Sequence, residues 1–367
     1  MDEFLITKIE AWPISLPLRE PFVVATGTMS VADNVFIRVQ LQSGICGLGE
    51  MAPFPDISGE TQAGCLDVFR TVAPLLLGQS VLQWRRLAHE LAEATSVVPS
   101  VRCGLETALL DAFARAMNIP LWALWGGADV RVRETDVTLA IGPIEPVLKT
   151  AEQWFTRGFR VFKIKVGQDV DEDIRRVEAV WRAFPRVSFV IDGNQGFTAK
   201  EALYFLRAIS RLHVPVILFE QPVSRDDWDG LLEVHRQSAI PIAADESVRS
   251  FSDARRLIEA DGVDVINIKI TKCGVLESLD IVNLVRRAGL DLMIGGMVES
   301  RVAMGCSFSL VLGLGGFEFI DLDMPLLLTH DPAKGGYRYE GCRLYPWASA
   351  GLGQELDTDQ SSFCVIS

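Results

Sequence analysis

Val161-Phe162-Lys163-Ile164-Lys165-Val166 is a short apolar run carrying two lysines, and its place in a series decides the fold. Four further apolar runs follow, each ending in an ionisable residue. Phe189–Ile191 ends at Asp192, Val216–Phe219 at Glu220, Ile242–Ala244 at Asp245 and Val265–Ile268 at Lys269. Counted from Lys165, the intervals are 27, 28, 25 and 24 residues, one strand-helix unit each. An ionisable group at the end of an apolar strand is costly unless it is paired or holds a metal. Five such groups in order describe a site.

Working outward, Asp136–Ala140 precedes the series, and Leu290–Ile294 and Phe317–Ile320 follow it. Helical segments such as Val170–Phe184, Ala199–Leu212 and Asp253–Ala260 lie between. The strands are apolar on both faces, as in a parallel sheet covered by helices. Eight strands at about 25-residue spacing fit an α/β barrel, whose active sites gather at the C-terminal strand ends. A doubly wound open sheet would want a Gly-rich turn after its first strand, and no GxGxxG follows any strand. Before the barrel come β-rich runs (Ile6–Trp12, Asn34–Leu41, Cys46–Glu50), with a hairpin turn expected at Ser43-Gly44-Ile45. Helical patterns Glu60–Leu77, Val81–Ala94 and Cys103–Met117 follow, making an α+β unit. The expected division is 1–125 for this unit, 126–325 for the barrel and 326–367 for a C-terminal segment packing back on the first unit.

Composition bounds the partners. The chain has 367 residues and a formal charge of −13, which repels nucleic-acid phosphate and anionic lipid. Neither is an expected partner. Val302–Phe317, 16 uncharged residues, falls short of the roughly 20 that span a bilayer and reads as a buried element. Met1-Asp2-Glu3 lacks the basic flank of a signal peptide. Seven scattered cysteines without a CxxC pair argue against disulfides and zinc, and for the cytoplasm. Cys364-Val365-Ile366-Ser367 has the form of a prenylation box, but no polybasic segment precedes it.

In a barrel, Asp192, Glu220 and Asp245 converge on one side of the mouth, an oxygen set suited to Mg²⁺. Lys165 and Lys269, four strands apart, face each other across it, able to take and return a proton on either face of a bound carbon. Taken singly, Asp192 or Asp245 reads as a helix N-cap and Lys269 as an ion-paired residue. The ordered combination at one period favours the site.

Lys163-Ile164-Lys165, Asp192-Gly193-Asn194, Glu220-Gln221-Pro222, Asp245-Glu246-Ser247 and Asn267-Ile268-Lys269 resemble the enolase superfamily, in its muconate-lactonizing-enzyme-like subgroup. The resemblance spans nearly the whole chain and implies an N-terminal capping domain on a (β/α)7β modified TIM barrel. Enolase-superfamily sites use a Lys or His base with Mg²⁺. The mandelate-racemase-like branch places a His on the seventh strand, which here ends Gly295-Gly296-Met297. Asp321-Leu322-Asp323 on the last strand looks like the Asp-X-Asp motif that holds the α-ammonium in dipeptide epimerases. The resemblance thus implies a dipeptide substrate, Mg²⁺ on Asp192, Glu220 and Asp245, and Lys165 and Lys269 as acid and base. It also implies substrate contacts from Thr138, Lys163, Asp321 and Asp323, and places Glu246 and Glu299 where they orient the lysines. A homo-oligomer is expected. Cations near the two lysines should lower their pKa values.

Specificity is expected from cap loops at residues 20–30 and 50–60. Ala-Glu epimerases carry an Arg in the first; Gly27 stands there instead. Met51, Pro53, Phe54 and Pro55 favour a hydrophobic substrate side chain, whereas Asp56 would select a cationic one or is an exposed turn residue. The rivals are an Ala-Glu or cationic dipeptide epimerase, an N-acylamino-acid racemase, o-succinylbenzoate synthase or cycloisomerase, a Schiff-base aldolase, and a non-catalytic scaffold.

Overall fold

The computed structural model describes residues 2–95, 97–357 and 364–367. Eight parallel strands follow one another around a single curled sheet: Val137–Leu139, Val161–Lys165, Ser188–Asp192, Val216–Glu220, Ile242–Ala244, Val265–Ile268, Asp291–Ile294 and Phe319–Ile320. Helices lie between them, as the spacing predicts. Side-chain alternation sorts each strand into two faces. Phe162, Phe189, Ile191 and Phe219 belong to the large core under the helices, and the Phe162 ring meets Phe184 edge-on at 6.1 Å. Val190, Leu218, Ala243, Val265 and Met293 form a separate apolar layer inside the barrel. Two residues further along the same inward faces stand Asp192, Glu220, Asp245 and Asn267, with Lys269 two beyond Asn267. The apolar layer is the floor on which the charged layer rests.

The barrel's seam, between the first and eighth strands, is closed differently. Asp136 N donates to Ile320 O at 3.0 Å, and the Thr135 hydroxyl bridges Ile320 O and Leu322 N. Asp323 Oδ2 accepts from Thr138 N at 2.6 Å, so a side chain supplies the next bond.

The N-terminal unit is an antiparallel sheet with helices on one face. Its first two strands are longer than expected: Ile6–Val24 and Gly27–Leu41 pair through Phe22↔Met29, Val23↔Thr28 and Val24↔Gly27. Residues 20–30 are thus a hairpin tip rather than a loop. Pro13, Pro17 and Pro21 hide this in the sequence, because proline is rare inside strands. Pro13 and Pro17 stand in register with Val35 and Val31, and the register shifts between Pro17 and Phe22. Cys364–Ile366 adds a fourth strand, with Ile9↔Ile366 and Ala11↔Cys364 in register. The prenylation-like tetrapeptide is therefore mostly strand; residues 358–363 of the 326–367 segment lie outside the described ones.

Buried carboxylates of this unit dock it onto barrel helices. Glu50 accepts from Ser300 N, Ser300 Oγ and Ala303 N, at the start of helix Arg301–Leu314. Glu106 accepts from Val275 N and Leu276 N, at the start of Val275–Ala288. Both anions meet unpaired N–H groups at the positive end of a helix dipole. Arg301–Leu314 covers most of the 16-residue apolar stretch and is buried from Val302 to Gly313. Among the described residues, no helix is long and apolar enough to cross a membrane.

Candidate active site

The charged layer is a ring in which each carboxylate has one oxygen fixed and one turned inward. Asp192 Oδ1 accepts from Asn194 N at 2.9 Å, and its Oδ2 meets Lys165 Nζ at 2.6 Å and Lys163 Nζ at 3.1 Å. Glu220 Oε1 accepts from Asn267 Nδ2 at 2.7 Å, and its Oε2 meets Lys163 Nζ at 2.7 Å. Asp245 Oδ1 accepts from Lys272 Nζ at 2.6 Å, and its Oδ2 meets Lys269 Nζ at 2.6 Å. None of the three carboxylates is more than 1% exposed. Asp192 caps no helix: the next one, Ala199–Leu212, is capped by Thr198 with Glu201.

Electrostatics follow from this packing. Burial pulls the Asp192 carboxyl up, but Lys165 and Lys163 outweigh it and hold it at about 2. Glu220 is pushed up to about 8 by burial and by the Asp192 charge, against Lys163. Burial draws Lys269 down, yet the Asp245 carboxylate outweighs it, so Lys269 lies above the ordinary lysine range. The expected lowering included the field of a bound Mg²⁺, and Asp245, the largest charge acting on Lys269 here, is one of the carboxylates that would hold that ion.

Three buried carboxylates from adjacent strands, each offering one oxygen that meets only ammonium groups, suit a hard divalent cation. Asn194, Asn267 and Lys272 hold the outer oxygens and orient the set. Lys272 was not legible as part of the site; its signal is the Lys269-Ile270-Thr271-Lys272 spacing, which brings Lys272 one helical turn past Lys269.

Lys165 and Lys269 line one cavity, together with Thr138, Asp321 and apolar walls from Phe22, Phe54, Met297 and Met324. The Phe22 ring centroid lies 5.6 Å from Lys165 Nζ. Lys163 is only 1% exposed and does not line the cavity; it bridges Asp192 and Glu220 to Asp321 Oδ2, the last at 2.7 Å. Asp321 and Asp323 differ in role. Asp321 borders the cavity, whereas Asp323 spends Oδ2 on Thr138 N and keeps Oδ1 without a hydrogen-bond partner. Asp136 joins them: among the described residues, Asp136, Asp321 and Asp323 bring carboxylate oxygens within 4.8 Å of one another. Asp136 reads in the sequence only as the start of a strand. Glu246 accepts from Asn194 Nδ2 at 3.3 Å, and Glu299 from Thr271 Oγ1 and Met297 N. Neither carboxylate's hydrogen bonds reach Lys165 or Lys269; both act on Lys269 through their charge.

The cavity measures ≈ 20 Å³, and both cap loops line it, through Phe22 and Val24 on one side and Phe54 and Ile57 on the other. They close on each other: a Cβ placed on Gly27 would lie 2.1 Å from Asp56 Oδ2. Asp56 is exposed, turned onto the hairpin and outside the cavity lining. The Ala25 methyl at the hairpin tip rests over Gly196, where a Cβ would come within 2.6 Å of it.

Two family models match the chain, "Mandelate racemase / muconate lactonizing enzyme, N-terminal domain" over residues 7–126 and "Enolase C-terminal domain-like" over 147–360. The chain belongs to the enolase superfamily. It is 43% identical over 352 residues to an aromatic dipeptide epimerase of Herpetosiphon aurantiacus, covering 96% of this chain and 99% of that one. A crystal structure of a mandelate racemase/muconate lactonizing protein from Herpetosiphon aurantiacus superposes with a TM-score of 0.94 at 42% identity, covering 97% and 99%. A dipeptide epimerase from Enterococcus faecalis, solved with Mg and L-Leu-L-Tyr, gives 0.91 at 31% identity, covering 95% and 99%.

Proposed function

We propose that this protein is a Mg²⁺-dependent dipeptide epimerase that inverts the α-carbon of the C-terminal residue, with a preference for hydrophobic side chains. The observation that carries this reading is that Lys165 and Lys269 line a single cavity bordered by Asp321 and walled by Phe22, Phe54, Met297 and Met324. Asp321, backed by Asp323, takes the substrate's α-ammonium at one end. One lysine, in its neutral form, removes the α-proton; the other, as an ammonium, returns a proton to the opposite face. Thr138 and the apolar walls orient the substrate, and the hairpin and the 50–60 loop exclude water. Asp192, Glu220 and Asp245 would hold Mg²⁺, which when bound supplies Lewis-acid stabilisation of the charge left by the α-proton. The absence of a cation at Gly27 and the outward turn of Asp56 support an apolar rather than an acidic or basic side chain.

In this reading residues 1–125 are the cap, 126–325 carry the chemistry, and 326–367 tie the barrel back to the cap. Seven unpaired cysteines support a reducing, cytoplasmic setting. Exposed Val130 and Val132 support a homo-oligomer, which sedimentation tests directly. The deciding experiment incubates the Mg²⁺-loaded enzyme with dipeptides in D₂O. Deuterium appearing at the α-carbon of the C-terminal residue, with both epimers formed, is the expected result. Turnover of acyl amino acids with no exchange in any dipeptide would overturn the reading.

A further inference from the structure

Beneath the ammonium subsite lies a carboxyl group that no step above uses. Asp136 stands two residues before Thr138, so both point into the barrel. Its side chain lies between the Asp321–Asp323 pair above and a small cavity at the barrel floor, lined in part by Glu134 and Arg160. Asp136 is 5% exposed, and its Oδ1 has no hydrogen-bond partner in the protein.

We infer that Asp136 is a positioning residue of the ammonium subsite: it carries a proton, donates it to Asp321, and keeps that carboxylate turned up toward the incoming α-ammonium. The inference rests on the dipeptide reading given above and deepens it. Two of the three carboxyls are already committed. Asp323 is fixed by Thr138 N, and Asp321 Oδ2 is drawn aside by Lys163. Without a second hold, Lys163 would pull Asp321 toward the carboxylate ring and away from the cavity. Three buried carboxyls whose oxygens lie within 4.8 Å of one another do not all ionise at neutral pH; a shared proton turns one repulsion into a hydrogen bond. Burial and the Asp321 and Asp323 charges push Asp136 far above the usual carboxyl range, against Lys163.

The test compares Asp136→Ala with Asp136→Asn, whose amide still donates, in the Mg²⁺-loaded enzyme. For Asp136→Ala, the KM for a dipeptide should rise roughly tenfold, the worth of one buried hydrogen bond, with kcat within about threefold of wild type. The inhibition constant of the des-amino analogue, which has no ammonium to place, should stay unchanged. Asp136→Asn should remain within about threefold of wild type in KM. If KM and the des-amino constant rise together in folded Asp136→Ala, or if Asp136→Asn is as impaired as Asp136→Ala, the inference is wrong. An infrared difference spectrum between wild type and Asp136→Asn reads the proton without substrate. A protonated-carboxyl band at pH 7 is expected, and its absence overturns the inference. Should wild type exchange no dipeptide α-proton, the epimerase reading fails, and the spectrum still decides whether Asp136 holds a proton.

Discussion

Asp323 Oδ2 accepts the backbone N–H of Thr138 at 2.6 Å, so one carboxylate of the Asp-X-Asp pair closes the barrel. Its neighbour Asp321 borders the cavity instead. The two acids should separate on substitution. Asp321→Asn is expected to raise the KM for dipeptides at least tenfold. Asp323→Ala leaves a buried N–H unpaired and should cost about 1–3 kcal/mol of stability as well. Denaturant melts of the two variants beside steady-state kinetics check this. Wild-type stability in Asp323→Ala would show that the seam does not depend on Asp323.

Lys165 and Lys269 line the cavity from opposite strands, the second and the sixth. Replacing either one should lower epimerisation by about 10²–10⁴-fold. The surviving lysine still reaches one face, so each variant should exchange the α-proton of only one epimer in D₂O. Proton NMR on separate L,L and L,D substrates reads this. Loss of exchange from both epimers in Lys165→Ala would mean that Lys269 is not an independent base.

Gly27 and Asp56 occupy one space. Gly27→Ser should hold the two cap loops apart and raise KM several-fold. Asp56→Gly, by itself mild, should restore the double variant, giving a coupling of about 1 kcal/mol or more. Additive effects in the four-variant cycle would mean that the loops do not meet during turnover.

Glu299 is pushed up to about 7 by burial, against hydrogen bonds from Met297 N and Thr271 Oγ1. Its folded value lies above the ordinary carboxyl value of 4.5. Its contribution to stability is therefore full below about pH 4.5 and is lost as pH rises toward 7. Glu299→Gln, neutral throughout, should remove a loss of about 3 kcal/mol across that window. Urea melts at pH 5 and pH 8 measure the difference. An unchanged slope would place the titration on another group.

Much of the site was legible before any coordinates because a barrel strand writes its inward residues at every second position. Lys165, Asp192, Glu220, Asp245 and Lys269 end successive strands at one strand-helix period, so their convergence follows from closing the sheet. Less was legible in the cap, where Pro13, Pro17 and Pro21 masked a strand that the structure runs from Ile6 to Val24. Proline removes an N–H whether or not a partner needed it, and only the pairing register reveals which.

The order of charges along the chain pointed to the class of fold and to which lysines and carboxylates share one end of the barrel. It did not determine which oxygen of each carboxylate turns inward, nor that Lys272 and Asn267 hold the outer ones. It did not reveal that Asp323 serves the seam while Asp321 borders the cavity, or that Asp136 lies beneath them. Those facts depend on stagger between strands and on groups brought together from opposite ends of the barrel. Strand periodicity is local and survives in sequence; hydrogen bonds across a closed sheet exist only once it closes.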